Sequence, residues 1–579
     1  MNPRLIVRLS LLNLTRKKNL YPIHMFSCKE RSDIIHRLSQ GEFDILVLGG
    51  GITGAGIALD AAARGLKVAL IEKHDFAFGT SSRSTKLIHG GLRYLKQLQF
   101  GLVKEVGRER RTVYQNALHL VRPQKMLLPI VKGGSLGKWS MKVALNLYDR
   151  LAGVEHHEKH LILNKQNTFL SEPLLNHSQT LGSGLYYEYR TDDNRLVIEI
   201  MKKAVEMGAL CLNYLSFKQF LYEQDKISGG EFSTDGDKSI TIKARVVINA
   251  TGPWVDGIRQ QDRKEVFTKK LFLSKGVHLT VSRTKLPLRQ SVYFDVHQDK
   301  RMIFAVPRDN VVYIGTTDTA YPGLPENPAI DSQDVQYLLN AVNHLFPEAK
   351  LTTSDVLSGW AGVRPLIYEE GKLPSQMSRK DEVMTSKSGL ISIAGGKLTG
   401  YRLMAEKVVD KAVEYLSAQE SYKRKTKIGP GFSANIKVCG VEYRTEMELQ
   451  KAREEFVAQA KIMQFPEEEM TKLFYRYGSN TEIVLAHNNS HKLTPDQILN
   501  MLYAECWYAI HYEMCTCLTD FLIRRTGLLF FEKERADKYA KELNRWMAQQ
   551  LDWNPAVAEK SLQDYLKVSA DTMAFKLQA

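Results

Sequence analysis

The pattern of apolar and polar residues over positions 44–73 predicts a strand, a helix and a second strand. Apolar runs of strand length occupy residues 45–48 and 68–71, and the segment between them is rich in alanine. Short apolar runs on either side of a helix-forming segment are typical of buried parallel strands joined by a helix. The sequence therefore predicts an α/β domain that begins at the first run.

Three glycines lie where the first run meets the helix. Gly49, Gly51 and Gly54 have the G-x-G-x-x-G spacing, and Glu72 ends the second run. The first glycine permits a tight turn, the second lets a pyrophosphate approach, and the third allows close packing of helix and strand. An acid at the end of the second strand can accept hydrogen bonds from ribose hydroxyls. We favour a dinucleotide site over the alternative, a nucleotide-free turn in which Glu72 pairs with Lys73.

Three further strand-like runs occupy residues 246–254, 311–318 and 391–400, and each ends in glycine and small hydroxyl residues. Strands of open α/β sheets end in this way where their carboxyl ends line a ligand crevice. Residues 189–209, before the first of these runs, have helical spacing, with Asp192 and Asp193 near the expected N-cap. The nucleotide domain is therefore predicted to be discontinuous, with a substrate domain inserted into it.

The C-terminal part of the chain differs in character. Apolar residues recur at helical spacing over residues 493–531, and a further helical segment follows. We predict an α/β fold (α+β overall) with a nucleotide-binding domain and interleaved substrate subdomain over residues 41–405. A C-terminal all-α domain is predicted over residues 406–579.

Residues 1–40 are predicted to be a basic N-terminal extension. Its first 24 residues contain no Asp or Glu. A mitochondrial transit-like segment, a disordered extension and an upstream start before Met25 all fit this composition.

Charge and cysteine content narrow the function classes. The formal net charge of +16 favours an anionic partner, which is nucleic acid, a phosphorylated metabolite or an anionic lipid surface. Nucleic acid is the weakest of the three because neither zinc-ligand spacing nor an RNA-binding aromatic signature is present. No apolar run reaches the roughly 18 residues of a membrane-spanning helix. The 6 cysteines form no disulfide framework, and Cys506, Cys515 and Cys517 are too few for an iron–sulfur cluster.

The polar segment 79–95, GTSSRSTKLIHGGLRYL, follows the second strand. In a Rossmann-type flavoprotein this segment runs over the cofactor. Ser81, Ser82 and Ser84 can then bind the pyrophosphate and ribityl hydroxyls, and Gly90 and Gly91 leave room for the flavin ring. A Ser/Thr-rich surface loop is the alternative for the segment taken alone.

This segment, followed in order by ATGPW, GTTD, GVRPL and GGKLTGYR, resembles the FAD-dependent, quinone-linked glycerol-3-phosphate dehydrogenases over about residues 44–531. The resemblance implies a fold of the D-amino-acid-oxidase type with non-covalent FAD and a helical C-terminal domain. It further implies a respiratory enzyme of glycerol metabolism that oxidises sn-glycerol 3-phosphate to dihydroxyacetone phosphate. The expected partners are glycerol 3-phosphate, a membrane quinone, an anionic membrane surface and a second copy in a homodimer, but no nucleic acid.

The resemblance also assigns site residues. The expected cofactor residues are Gly49, Gly51, Gly54, Glu72, Thr80, Ser81, Ser82, Ser84, Lys86, Leu87, His89, Gly90, Gly91, Thr251, Gly252, Asp318, Gly396, Lys397, Leu398 and Thr399. The expected substrate residues are Arg93, Tyr94, His278, Arg364, Arg379 and Lys397. Four of these, Arg93, His278, Arg364 and Lys397, are also expected to be catalytic. No metal site is expected.

The residue types suit alcohol oxidation. His278 is a candidate base because imidazole titrates near neutral pH, although a core histidine is the alternative. Arg364 and Arg379 suit phosphate because a guanidinium donates two parallel hydrogen bonds; Arg379 could instead be a solvated surface charge. Lys397 could hold the charge of reduced flavin or the substrate oxygen, or lie on the surface at a strand end.

Two other functions remain open from the sequence. One is a glycerol-3-phosphate oxidase, which passes electrons to oxygen, and the other is a flavin-binding protein without turnover. The expected location is the cytoplasm, peripherally on the inner face of the bacterial cell membrane, with the mitochondrial inner membrane as the alternative.

Overall fold

The computed structural model describes residues 26–92, 99–135, 137–234, 238–264, 268–371, 381–419 and 428–577. The strands are β1 Glu42–Leu48, β2 Val68–Ile71, β3 Leu87–Ile88, β4 Arg122–Val131, β5 Leu161–Leu163, β6 Thr180–Arg190, β7 Leu210–Leu212, β8 Ser216–Glu223, β9 Lys226–Ser233, β10 Ser239–Asn249, β11 Leu271–Ser282, β12 Ser291–Asp295, β13 Met302–Arg308, β14 Val311–Gly315, β15 Thr319–Ala320, β16 Val356–Ile367, β17 Asp381–Thr385 and β18 Ile391–Gly395.

The helices follow the same chain order. They are α1 Arg31–Gln40, α2 Ile52–Ala63, α3 Phe100–Asn116, α4 Lys138–Ala152, α5 Lys165–Ser171, α6 Asp193–Glu206, α7 Val255–Arg259, α8 Ser332–Leu345, α9 Tyr401–Ser417, α10 Glu446–Met463, α11 Glu467–Tyr477, α12 Thr481–Ser490, α13 Gln497–Tyr512, α14 Leu528–Phe531, α15 Lys533–Gln550 and α16 Pro555–Asp571.

The first sheet has the order β17–β18–β10–β1–β2–β7, and the β8–β9 hairpin joins it through β9 and β10. Strands β18, β10, β1, β2 and β7 are parallel, so their carboxyl ends share one edge. Helix α2 covers one face between α6 and α9. A strand covered on both faces is apolar throughout, which explains the continuous buried run in β1. The predicted βαβ unit is present.

The second sheet is largely antiparallel, in the order β15–β11–β14–β13–β12–β4–β6–β3, with β16 paired to β11 and β5 paired to β6. The run at residues 311–318, predicted to be a further strand of the open α/β sheet, contributes β14 to this second sheet, although its end at Thr316 and Asp318 does lie at the cavity described below. Strand β14 follows β13 after a two-residue turn and pairs antiparallel with it. A connection so short cannot make the crossover that a parallel strand requires.

Helices α10–α16 form the C-terminal part of the chain. The predicted boundary after residue 405 falls inside α9, which packs against α2 of the nucleotide domain. Residues 493–531 are not one helix, because α13 ends at Tyr512 and a π-helix, Asp520–Arg525, comes before α14. The Asp520 carboxylate accepts hydrogen bonds from the N–H groups of Thr516 and Cys517, and this arrangement stabilises the break.

The N-terminal extension was predicted to run to residue 40, but residues 26–40 are part of the folded domain. Helix α1 contacts β10 and β7, and Ile34 and Leu38 are buried one helical turn apart. Arg31 donates a hydrogen bond of 2.6 Å to the side chain of Asn213. An apolar pair at this spacing gives a short helix one buried face, which is enough to dock it on a sheet.

The described residues contain no helix with both the length and the apolar character needed to cross a bilayer. Within the same residues, no group of His, Cys, Asp and Glu side chains has a metal-binding arrangement. All six cysteines are thiols, and burial raises the pKa of Cys515 well above its ordinary value.

Candidate active site

A cavity of about 550 Å³ lies between the two sheets. Its floor is formed where β1, β2, β10 and β18 end, at Gly49, Glu72, Thr251 and Gly396. The opposite wall comes from β11, β14 and β16 of the second sheet. The cavity therefore lies at the carboxyl ends of parallel strands, where open α/β sheets bind their ligands.

The glycine turn after β1 requires its glycines. Gly49 has a φ of +107°, and a Cβ there would lie 2.7 Å from the carbonyl oxygen of Ala250. A Cβ on Gly54 would lie 1.9 Å from the oxygen of Gly49, so this glycine lets α2 approach β1. The first turn of α2 faces the cavity, and Ile52 N–H donates to Ser81 Oγ at 3.0 Å. The N–H groups and the positive end of the dipole at a helix N-terminus favour a phosphate at this position.

The carboxylate of Glu72 is fixed beside this turn. It accepts hydrogen bonds from Gly50 N–H at 2.7 Å and from His74 N–H at 2.8 Å. Burial raises the pKa of Glu72, and the two N–H groups oppose that rise. A buried acceptor held in this way suits the hydroxyls of a ribose.

His278 lies on the opposite wall, in β11. Its Nε2 is 3.0 Å from Thr85 Oγ1, and its ring stacks on Trp360 with centroids 4.9 Å apart. Trp360 is the cross-strand partner of His278 in β16, so the sheet register sets this stacking. The other neighbouring strand carries Gly315 opposite His278, where a Cβ would lie 2.2 Å from the imidazole.

The imidazole of His278 is kept neutral. Burial lowers its pKa well below the ordinary value, and the positive charges of Arg364 and Lys86 lower it further. A neutral imidazole can accept a proton from a substrate hydroxyl. In the part of the chain that the structure describes, its Nδ1 has no hydrogen-bond partner.

Arg364 reaches the same wall from β16. Its Nη2 donates to Thr316 Oγ1 at 2.8 Å, and its Nη1 lies 3.2 Å from the oxygen of Thr317 and 3.4 Å from the carboxylate of Asp318. A Cβ on Gly276 would lie 2.4 Å from Nη2, so this glycine in β11 leaves the space that the guanidinium fills. The cavity thus holds a fixed cation beside a neutral base.

A family model for FAD dependent oxidoreductases matches residues 44–402, which is more than half of the chain. The chain belongs to this family of FAD-dependent oxidoreductases. A second model, described as the C-terminal domain of alpha-glycerophosphate oxidase, matches residues 432–558. The predicted fold class and the predicted cofactor are confirmed by these matches.

Individual relatives agree with the family. The chain is 44% identical over 532 residues to an aerobic glycerol-3-phosphate dehydrogenase of Staphylococcus aureus, covering 92% of this chain and 95% of that protein. The solved glycerol-3-phosphate dehydrogenase from Bacillus halodurans, complexed with FAD, is 39% identical, with a TM-score of 0.80, and covers 95% of this chain and 99% of that one. An L-alpha-glycerophosphate oxidase from Mycoplasma pneumoniae, 17% identical, shares the fold over 68% of this chain and 98% of its own, with a TM-score of 0.50.

The cavity fits the cofactor of an FAD-dependent oxidoreductase. The glycine turn leaves space that a Cβ would fill, helix N–H groups face that space, and Glu72 supplies a buried acceptor. Most residues predicted for FAD line this cavity, namely Gly49, Gly51, Glu72, Thr80, Ser81, Ser84, Leu87, His89, Gly91, Thr251, Gly252, Asp318, Gly396, Lys397 and Leu398. Their contact with FAD itself stays a prediction.

The side chain of Lys86, a residue predicted for the cofactor, does not line this cavity. Its amine is buried, forms an ion pair of 2.5 Å with Asp193, and donates to the oxygen of Ser82 at 3.0 Å. The same carboxylate accepts from Ser84 N–H and Oγ, so Asp193 organises the whole turn. Lys86 has a φ of +56°, and its side chain lies under Trp360 rather than in the cavity. Lys86 and Ser82 therefore shape the turn without lining the cofactor space.

Three other predicted residues lie one layer behind the cavity wall. Gly54 supports Gly49, as described above. Gly90 packs against the Tyr148 hydroxyl of α4, where a Cβ would lie only 2.3 Å away. Thr399 Oγ1 donates to the oxygen of His89 and accepts from its N–H, both at 3.1 Å. These residues position neighbours that do line the cavity.

Of the predicted substrate residues, His278, Arg364 and Lys397 meet in the cavity. Arg93, Tyr94 and Arg379 lie outside the described residues. Thr85 and Arg301 are among the cavity residues that were missed from the sequence. Thr85 lies directly after Ser84 in the hydroxyl-rich segment, and its place in that segment was the available signal. Arg301, whose Nη1 donates to the oxygen of Asp318 at 2.9 Å, had no sequence signal because it lies in a polar hairpin.

Proposed function

We propose that this FAD-dependent oxidoreductase oxidises sn-glycerol 3-phosphate to dihydroxyacetone phosphate and passes the electrons to a membrane quinone. The observation that carries the proposal is a neutral, buried His278 beside the fixed cation Arg364, in the cavity that also contains the nucleotide-binding turn. The Staphylococcus aureus and Bacillus halodurans relatives bear the name of this dehydrogenase. A phosphorylated alcohol needs both features, a base for its hydroxyl and a cation for its phosphate.

Alcohol oxidation removes a hydride from carbon and a proton from oxygen. FAD, when bound, supplies the hydride acceptor. His278, in the cavity wall, is proposed to take the hydroxyl proton at its imidazole, which is unprotonated before the reaction because burial lowers its pKa. Thr85 and Trp360 hold the ring in one orientation through a hydrogen bond and a stacking contact.

Arg364 is proposed to bind the phosphate. The guanidinium is oriented by Thr316 and Asp318, so its N–H groups are preorganised to donate to two oxygens of the phosphate dianion. Lys397 lines the same cavity at the end of β18 and is proposed to offset negative charge on the substrate oxygen or on reduced flavin. The roles predicted for Arg93, Tyr94 and Arg379 stay predictions.

The electron acceptor has two candidates. A membrane quinone suits a chain with a net charge of +16, which favours an anionic membrane surface, and we propose the inner face of the bacterial cell membrane as its location. The mitochondrial inner membrane is the alternative location. Oxygen is the second candidate acceptor, because the C-terminal residues match a model named after an oxidase.

One experiment tests substrate and acceptor together. The purified protein is mixed anaerobically with glycerol 3-phosphate, and the flavin absorbance band is followed. We expect the band to bleach with glycerol 3-phosphate and not with glycerol. A soluble quinone analogue and oxygen are then added to separate samples. Rapid return of the band with quinone but not with oxygen supports the dehydrogenase; rapid return with oxygen supports the oxidase. A band that never bleaches refutes the substrate.

A further inference from the structure

Helix α4 has one buried face and, in its first two turns, one face that is open to solvent. Met141, Leu145 and Tyr148 are buried and anchor the helix. On the outer side, Trp139 is 83% exposed and Val143, one turn later, is 52% exposed. Single exposed apolar residues are common on proteins, but a largely exposed tryptophan one helical turn from a second exposed apolar residue is a feature of interaction surfaces.

The charges around this apolar pair are positive. Lys138 and Lys142 flank Trp139 on the exposed face, and Lys132 is exposed shortly before the helix. The one acidic residue in the sequence of α4 is Asp149, near its other end. That carboxylate is only 10% exposed and lies 2.7 Å from His160 Nδ1. The open end of the helix therefore combines exposed apolar side chains with exposed lysines.

Helix α4 also lies directly behind the cavity wall. Its buried residues Met141 and Leu145 belong to the same core as Tyr293, Met302 and Phe304, which line the cavity. A partner on the outer face of α4 would thus be separated from the active site by one helix and one strand layer. This placement suits an enzyme whose electron acceptor is dissolved in the membrane.

The geometry points to the exposed face of α4, defined by Trp139, Val143, Lys132, Lys138 and Lys142, as the surface that docks the enzyme on an anionic lipid bilayer. Tryptophan favours the interface between headgroups and acyl chains, and lysines reach phosphate headgroups while their stems lie along the apolar surface. A helix bound in this way lies in the plane of the interface. The inference rests on the proposed function in one respect, the membrane location of the acceptor.

The test uses the full-length holoenzyme and vesicles made of equal parts of phosphatidylglycerol and phosphatidylcholine. The variant Trp139→Ser/Lys142→Gln is compared with Met447→Ser/Lys451→Gln, a pair on α10 with one bare apolar residue and one exposed lysine. Each protein is also assayed for glycerol-3-phosphate turnover with a soluble dye as acceptor. Neither double substitution touches the cavity.

We expect the α4 variant to bind these vesicles at least about tenfold more weakly, because one lysine near an anionic surface alone is worth about fivefold. The α10 variant should bind as the wild type does, and all three proteins should keep the same dye-linked turnover. Equal vesicle binding by the α4 variant and the wild type would overturn the proposal, as would equal losses in both variants. Conversion of a dimer to a monomer with vesicle binding unchanged would assign the face to a second copy instead.

The two proposals fail in different ways. If the wild type turns over with dye but binds neither anionic nor neutral vesicles, the docking surface is refuted and the dehydrogenase activity stands. If the wild type binds anionic vesicles through α4 but shows no turnover of glycerol 3-phosphate, the proposed substrate is refuted and the surface stands.

Discussion

Replacement of Arg364 by lysine tests the proposed phosphate site. The guanidinium contacts Thr316 Oγ1, the oxygen of Thr317 and the Asp318 carboxylate at 2.8 to 3.4 Å. A lysine amine keeps the charge but cannot span these partners and also present two parallel N–H bonds to a phosphate. Loss of one charge-assisted hydrogen bond costs about 1.5–3 kcal/mol, so kcat/KM for glycerol 3-phosphate should fall by about 10- to 150-fold.

The assay measures kcat/KM for glycerol 3-phosphate and for glycerol, with FAD content as a check on folding. Glycerol lacks the phosphate, so its slow oxidation should be almost unchanged in Arg364→Lys. Arg283→Lys is the matched control, because Arg283 also contacts main-chain oxygens but lies outside the cavity. An equal loss of activity on both compounds would refute the phosphate assignment and make Arg364 a flavin-directed or structural residue.

Three more substitutions test other parts of the structure. Gly49→Ala should abolish FAD retention, because it combines a left-handed φ with a steric clash, whereas Gly65→Ala, with a φ of +82° and open space around it, should retain FAD in the purified protein. Thr85→Val removes the hydrogen bond to His278, so kcat should fall about fivefold with FAD content unchanged; an unchanged kcat would show that the contact does not orient the base. Burial lowers the pKa of His119 to about 3, so only the unfolded state gains its proton between about pH 6.5 and 3, and unfolding free energy falls as pH drops through that window. Urea titrations should show that His119→Leu loses about 2 kcal/mol less than the wild type between about pH 7.5 and 5, and parallel losses would refute this.

The sequence by itself determined the nucleotide-binding half of the site. The turn after β1 depends on residues close in the chain, because a positive φ at Gly49 and close contact at Gly54 are requirements of the local backbone. Glu72 could be placed for the same reason, since it ends the next strand of the same βαβ unit. Local geometry of this kind leaves a fixed spacing of residues in the sequence. A resemblance to a family can then extend the prediction to further residues of the site.

The tertiary structure decided what depends on distant partners. Lys86 follows the hydroxyl-rich run, yet a buried carboxylate at position 193 removes its amine from the cavity. His278 owes its neutral state to burial and to Arg364, which approaches it only because β11 and β16 pair in one register. Long-range pairing leaves no periodic signal in the chain, because its energy comes from desolvation and contacts that exist only after folding. The sequence therefore named the base and the cation, and only the folded sheet could bring them into one cavity and set the charge on the imidazole.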